Sequence, residues 1–199
     1  MKKILVINGS YRVGGITDQA VEVATKVILD ADVKVEIVLL RDTPIEFCLN
    51  CRKCTQVPGE APGRCVFNDG MEKLVTSIEQ ADGYIFACPT NFATVTAIYK
   101  RFLERLLVYA YWPWGEHAPR HRKAHVLKKK ALLLSSCAAP GILGRWAYDT
   151  HKQLKMTATT VGATSVGAIF TGLMSIDPRQ KLPSGTQLKV QKLAGKLLV

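Results

Sequence analysis

The stretch that most constrains this chain is its first seventeen residues, where an apolar run (Ile4, Leu5, Val6, Ile7) stops at Asn8 and opens into NGSYRVGGIT. That order predicts a short buried strand delivered into a loop of small and polar residues, followed by a helix with Thr17 at its N-cap. Such a loop suits an anion. Backbone N–H groups at a helix start, the positive end of the helix dipole, the hydroxyls of Ser10 and Thr17 and the guanidinium of Arg12 can converge on one phosphate. A plain strand-to-helix turn, with Gly9, Gly14 and Gly15 present because the chain must bend, accounts for the same residues. The spelling excludes two common phosphate loops: there is no G-x-x-x-x-G-K-[ST] and no G-x-G-x-x-G, which leaves a monophosphate ester as the natural guest.

A chain of 199 residues, 48% of them hydrophobic and 22% charged, has enough apolar material for one full core, so residues 1–199 are expected to form a single domain. Two lysines precede only a short apolar run at the start, and no later stretch approaches a membrane span, which reads as cytoplasmic with no membrane partner. The six cysteines do not suggest a disulfide framework, because four of them crowd one loop of a larger chain. Metal or redox chemistry is the alternative there. A net charge of +11 points to anionic partners, and a phosphate-bearing cofactor satisfies it as readily as nucleic acid.

Beyond Thr17, Val21, Ala24, Val27 and Ile28 recur at helical spacing, and Val33 to Leu40 alternates and then runs apolar as a second strand. Residues 41–70 break the periodicity and hold the cysteine loop. Asp69, with Glu72 three residues on, starts a second helix with Met71, Leu74, Val75 and Ile78 on its buried face. Tyr84 to Cys88 forms a third strand that ends at Pro89 and feeds the polar and aromatic loop PTNFATVTA. A third helix carries Ile98, Phe102, Leu103, Leu106 and Leu107. An irregular, heavily basic excursion spans residues 109–130. Ala131 to Leu134 is a fourth strand, Trp146 to Met156 a helix, Thr164 to Phe170 a fifth strand, and Gln187 to Leu198 a closing helix.

Five strands alternating with five helices predict a doubly wound parallel α/β sheet in three layers, α/β/α. In such sheets ligands bind outside the carboxyl ends of the strands where the strand order reverses, and in the flavodoxin-like order that point lies between the first and third strands. The two loops least like plain connectors, NGSYRVGGIT and PTNFATVTA, follow those two strands.

Three blocks, KILVINGSYRVGGIT, FCLNCRKC followed by CVFNDGMEKL, and ADGYIFACPTNFATVTAIYKRFLERL, resemble the flavodoxin-like NAD(P)H-dependent FMN reductases, including the iron-sulfur flavoproteins, over roughly the first 107 residues. The resemblance implies non-covalent FMN with NAD(P)H as co-substrate. Ser10, Arg12, Thr17 and the backbone at Ile16 would hold the phosphate. Pro89, Thr90, Asn91 and Phe92 would line the edge of the ring, and Ser136 would wall the pocket. No acid–base residue is demanded, because the cofactor carries the chemistry. It further implies a small-molecule electron acceptor such as a flavin or quinone, and a homodimer or higher homo-oligomer. The chain departs from the pattern at Ile16, where relatives often have asparagine, at Asn91, where they usually have tyrosine, and at the pair Asn68 and Asp69, where two aspartates are usual. An alternative within the same resemblance is a flavodoxin-type or iron-sulfur flavoprotein electron carrier. Flavodoxins are strongly acidic, so the +11 charge favours the enzyme.

Cys48, Cys51, Cys54 and Cys65 read C-x2-C-x2-C-x10-C, a set that suits a 4Fe-4S cluster or tetrahedral zinc and is also compatible with free thiols or a redox disulfide. The gap containing Pro58, Gly59, Pro62 and Gly63 argues against a tight cluster loop. Cys88 and Cys137, at strand ends, read as small buried hydrophobes. In the basic excursion, Trp112 and Trp114 beside Arg120, Arg122, Lys123 and Lys128 to Lys130 have the composition of a nucleic-acid patch. A solvated excursion that also attracts the 2′-phosphate of NADPH or stabilises a partner subunit explains them better, so a nucleic-acid-binding or regulatory module is the weakest reading. His117, His121 and His125 read as surface residues.

Overall fold

The computed structural model describes residues 2–126, 128–174 and 176–199; Met1, Leu127 and Ser175 lie outside it. Five parallel strands form the central sheet: β1 (Lys3–Asn8), β2 (Lys34–Leu39), β3 (Gly83–Asn91), a fourth long strand over Lys129–Ser136 and a fifth over Ala163–Thr171. Three shorter strands intervene in the chain, β4 (Thr94–Val95), β5 (Ala110–Tyr111) and β6 (Arg120–His121), so the last two long strands are β7 and β8. The order β2-β1-β3-β7-β8 is the doubly wound arrangement expected from the sequence.

The apolar run of β1 divides by alternation. Leu5 and Ile7 pack with Tyr84, Phe86 and Leu133 on one face of the sheet, and Ile4 and Val6 pack with Ile85, Ala87, Leu132 and Leu134 on the other. Both faces are covered, which is why the central strands read as continuous apolar runs. The first face is roofed by α2 (Gly70–Gln80), α3 (Ala97–Arg105) and α5 (Thr150–Thr160); the second by α1 (Ile16–Leu29) and α6 (Ser184–Gly195). Each fully buried side chain of this kind contributes about 1.5–3 kcal/mol. Among the described residues no helix is long and apolar enough to cross a membrane.

Several boundaries differ from the sequence expectation. Helix α1 begins at Ile16 with Gly15 as its N-cap, not at Thr17, because the Thr17 hydroxyl faces Ser136 instead of the helix's own amides. Asp69 does cap α2, its carboxylate accepting the Met71 N–H at 3.0 Å. The helix expected over residues 146–156 is two helices, α4 (Gly141–Ala147) and α5, parted by Tyr148 in extended backbone. β3 runs through Pro89 to Asn91 because it turns back on itself to pair with β4. The basic excursion contains a small hairpin, β5 with β6.

Candidate flavin and cysteine sites

The loops after β1 and β3 lie side by side at the carboxyl edge of the sheet. The Gly9 N–H donates to the Ala87 carbonyl at 2.8 Å, and the Thr96 hydroxyl donates to the Gly9 carbonyl at 2.7 Å. Gly9 is required by contact: a Cβ there would stand 2.6 Å from Cδ2 of Tyr99, which is itself fully buried. From Gly9 the chain wraps around the start of α1. This helix start has no side-chain cap, and among the described residues the first-turn N–H groups of Ile16, Thr17 and Asp18 donate to nothing. Unsatisfied donors at the positive end of a helix dipole are what an anion needs.

Hydroxyls complete this socket. Thr17 and Ser136, both buried, face each other at 3.1 Å, and the buried Ser10 uses its N–H on Asn8 Oδ1 and its hydroxyl on the Arg12 carbonyl. Arg12 is not in the socket: it is exposed and its guanidinium donates to the Pro178 carbonyl across the loop. Gln19 fastens the same segment, donating to Gln180 and accepting from the Leu182 N–H.

Asp18 and Arg41, which sequence reading did not single out, hold the loop from beneath. The Asp18 carboxylate accepts from Asn8 Nδ2 at 2.7 Å, from the Gly14 N–H at 3.0 Å and from Arg41 at 3.2 Å, and Arg41 also donates to the Ser10 carbonyl at 3.0 Å. An acidic residue in a helix's first turn is so ordinary that its spelling carries no special signal.

Across the edge, Pro89 pairs in register with Ser136, which places the end of β3 beside the socket wall. Pro89 and Thr90 are half-buried and Asn91 is exposed. Phe92 is fully exposed at φ 51° and Ala93 follows at φ 66°, the two left-handed residues of a tight turn into β4. A bulky residue in this conformation is strained, and such strain gathers at functional turns. The turn is braced by α5: the Asp149 N–H donates to the Ala93 carbonyl at 2.9 Å, Thr90 and Thr150 share a hydroxyl bond at 2.8 Å, and Gln153 donates to Thr94 at 2.6 Å. Burial pushes the Cys88 thiol up to about 12 and raises that of Cys137, so both are protonated packing groups near neutral pH, as their positions suggested. Beside Cys88, the buried Ser135 hydroxyl has no partner among the described residues.

The four clustered cysteines line one small recess with Phe67 and Leu107. Left-handed backbone at Asn50 (φ 51°) and Arg52 (φ 58°) turns the C-x2-C-x2-C segment. The ten-residue gap does not separate Cys65 from the rest, because the chain doubles back: Gly63 lies so close to the Cys54 carbonyl that a Cβ would meet it at 1.7 Å. Burial, and then the neighbouring Cys65, Cys48 and Cys51, push the Cys54 thiol up to about 11. Among the described residues no group of three or more His, Cys, Asp or Glu side chains is arranged to hold a single metal ion. N–H donors point at two of the sulfurs: Asn50 N–H to Cys48 and the Arg105 guanidinium to Cys65, each at 3.4 Å.

The basic excursion folds over this loop. The Arg52 guanidinium lies 3.7 Å from the ring centre of Trp112 and 4.3 Å from that of Trp114, and Arg122 donates to the carbonyls of Val108, Ala110, Gly59 and Cys54. The two tryptophans are thus engaged by an arginine of the cysteine loop. His117, His121 and His125 are exposed.

The chain is similar to iron-sulfur flavoproteins of Archaeoglobus fulgidus (32% identical over 111 residues, 56% of this chain and 48% of that one) and Clostridioides difficile (34% over 105 residues, 51% and 44%). It thus spans about half the length of the curated relatives it matches. In fold it is similar to an FMN-dependent NADH-azoreductase from Bacillus anthracis solved with FMN (TM-score 0.68, 14% identical, 99% of each chain). It is also similar to an NAD(P)H:quinone oxidoreductase from Methanothermobacter marburgensis (TM-score 0.66, 17% identical, 99% of this chain and 96% of that one). A sequence model described as NADPH-dependent FMN reductase matches residues 2–171, and the chain belongs to that family.

Proposed function

We propose that this chain is an FMN-dependent NAD(P)H oxidoreductase. The observation that carries the reading is the uncapped first turn of α1, roofed by the Thr17 and Ser136 hydroxyls and set beside the strained turn after β3. The residues fit the cofactor: the N–H groups of Ile16 and Thr17 with the hydroxyls of Ser10 and Thr17 would hold the phosphate, Pro89 to Phe92 would border the ring, and Ser136 would wall the site. Arg12 would join them only if its guanidinium left the Pro178 carbonyl. Bound FMN supplies acceptance of a hydride from the reduced nicotinamide and delivery of electrons to a flavin, quinone or similar small acceptor. The chain's own part would be to bind and orient: Asp18 and Arg41 fix the loop, and the bracing of the β3 turn by α5 would hold the residues that border the ring.

The exposed apolar side chains of this edge support a homodimer as the working unit. Tyr11, Val13, Phe92, Trp146 and Ile176 sit on segments that follow strand carboxyl ends, Trp146 on the short helix α4, and are between 72% and 100% exposed. A second reading, an iron-sulfur flavoprotein electron carrier, is favoured by the recess that gathers Cys48, Cys51, Cys54 and Cys65, which suits a 4Fe-4S cluster. Localisation in the cytoplasm is part of the proposal.

The visible spectrum of the purified protein, with and without added FMN, tests the reading. Flavin bands that are lost in the Arg12→Ala/Thr17→Ala double variant, and that bleach anaerobically with NADH or NADPH, are expected. A protein that takes up no FMN overturns it; bands that persist under both nicotinamides favour the carrier.

A further inference from the structure

Arg105, at the end of α3, is the most deeply buried charge near the cysteine loop: its side chain is 1% exposed. One carboxylate faces it, that of Asp69, bidentate at 2.7 and 3.0 Å, and it donates further to the Glu46 carbonyl at 2.7 Å. Its Nη2 is shared between Asp69 Oδ1 and Cys65 Sγ, while Nε has no partner among the described residues. A buried guanidinium is costly unless its donors meet anions, and a cysteine sulfur within reach of a donor becomes a good partner when it is a thiolate, free or metal-bound. Because Asp69 also caps α2 and accepts the Glu46 N–H at 2.8 Å, the guanidinium is held in place from two elements.

We infer that Arg105 is a positioning residue for an electron-carrying cluster at Cys48, Cys51, Cys54 and Cys65, and that its charge against Cys65 raises that cluster's reduction potential. The inference rests on the second reading of the cysteine loop. Reduction adds negative charge to a cluster, so a fixed positive charge and an N–H donor at one of its sulfurs stabilise the reduced form more than the oxidised one. With the charge gone, the cluster becomes harder to reduce.

The test is a redox titration of the anaerobically reconstituted full chain, following the cluster by electron paramagnetic resonance and the flavin by its visible bands. Arg105→Gln is expected to lower the cluster midpoint and leave the flavin midpoint in place, with Arg105→Lys recovering part of the shift. Asp69→Asn keeps the α2 cap but removes the neutralising carboxylate, so it is expected to raise the cluster midpoint. A merely structural role for Arg105 moves Gln and Asn variants in the same direction, and that result overturns the inference, as does an unchanged midpoint in both. If Arg105→Gln does not fold, Arg105→Lys and Asp69→Asn decide the question by the same criterion: opposite shifts support the inference and like shifts overturn it. Wild-type protein that assembles no cluster overturns the reading of the loop along with the inference, whereas the earlier outcomes leave that reading standing.

Discussion

Arg41 and Asp18 meet at 3.2 Å beneath the first loop, with side chains only 11% and 10% exposed, and between them they engage three points of that loop: Asn8, Ser10 and Gly14. The two side chains therefore hold the loop that frames the socket from beneath.

Breaking such a pair leaves a buried carboxylate without its counter-charge. Arg41→Met is expected to cost about 3–5 kcal/mol in urea unfolding. Combined with Asp18→Asn, the loss should be smaller than the sum of the two single losses, since the pair acts as one unit. Additive losses would show that the two side chains stabilise the loop independently.

The hydroxyls above the pair should behave differently. Thr17→Val and Ser136→Ala each remove a hydroxyl from the socket, so each is expected to weaken FMN binding about tenfold, ~1.4 kcal/mol, as read by fluorescence titration. Their unfolding midpoints should move little, because each keeps its packing volume or loses only one hydroxyl. Unchanged affinity in both variants would place the phosphate away from α1.

The turn after β3 carries backbone strain that substitution can relieve. Phe92 and Ala93 both occupy left-handed backbone, where Asn followed by Gly is the favoured pair. The Phe92→Asn/Ala93→Gly variant is expected to gain about 1 kcal/mol in thermal unfolding by relieving that strain. On the proposed reading it should lose acceptor turnover, because the exposed Phe92 ring would border the flavin. A variant no more stable than the parent would mean that the aromatic ring is held by contacts that offset the strain.

Much of this arrangement is legible in the spelling of the chain. The apolar runs of β1, β3 and β7 declare a sheet covered on both faces, and Asp69 declares the start of α2, because buried strands and caps have local signatures. What cannot be read is non-local. Arg41 finds Asp18 from 23 residues away, and Ser136 finds Thr17 from 119, and this second contact is why the helix starts earlier than a Thr cap implies. The tryptophans of the basic excursion match a base-stacking pattern in sequence, yet their partner is Arg52, some sixty residues upstream. Likewise the gap before Cys65 is too long for one recess if the chain runs straight, and it fits because Gly63 packs it back onto Cys54.

The hub that joins these regions has a pH signature. Burial alone would raise the Asp69 carboxyl, but the Arg105 guanidinium and the N–H groups of Glu46 and Met71 outweigh it and hold Asp69 below its ordinary value of 3.8. A carboxyl depressed in the folded state contributes stability that is fully present above the unfolded value and is lost as pH falls through the folded one. The parent protein should therefore lose this contribution progressively below about pH 4. Asp69→Asn removes it at every pH, and leaves Arg105 short of its counter-charge, so the variant should be about 3 kcal/mol weaker near neutrality. Urea unfolding at pH 7, 5 and 3 should show the gap between parent and variant closing at the acid end. Two curves that stay parallel to pH 3 would mean that Asp69 is not the group whose protonation loosens the joint between α2, α3 and the cysteine loop.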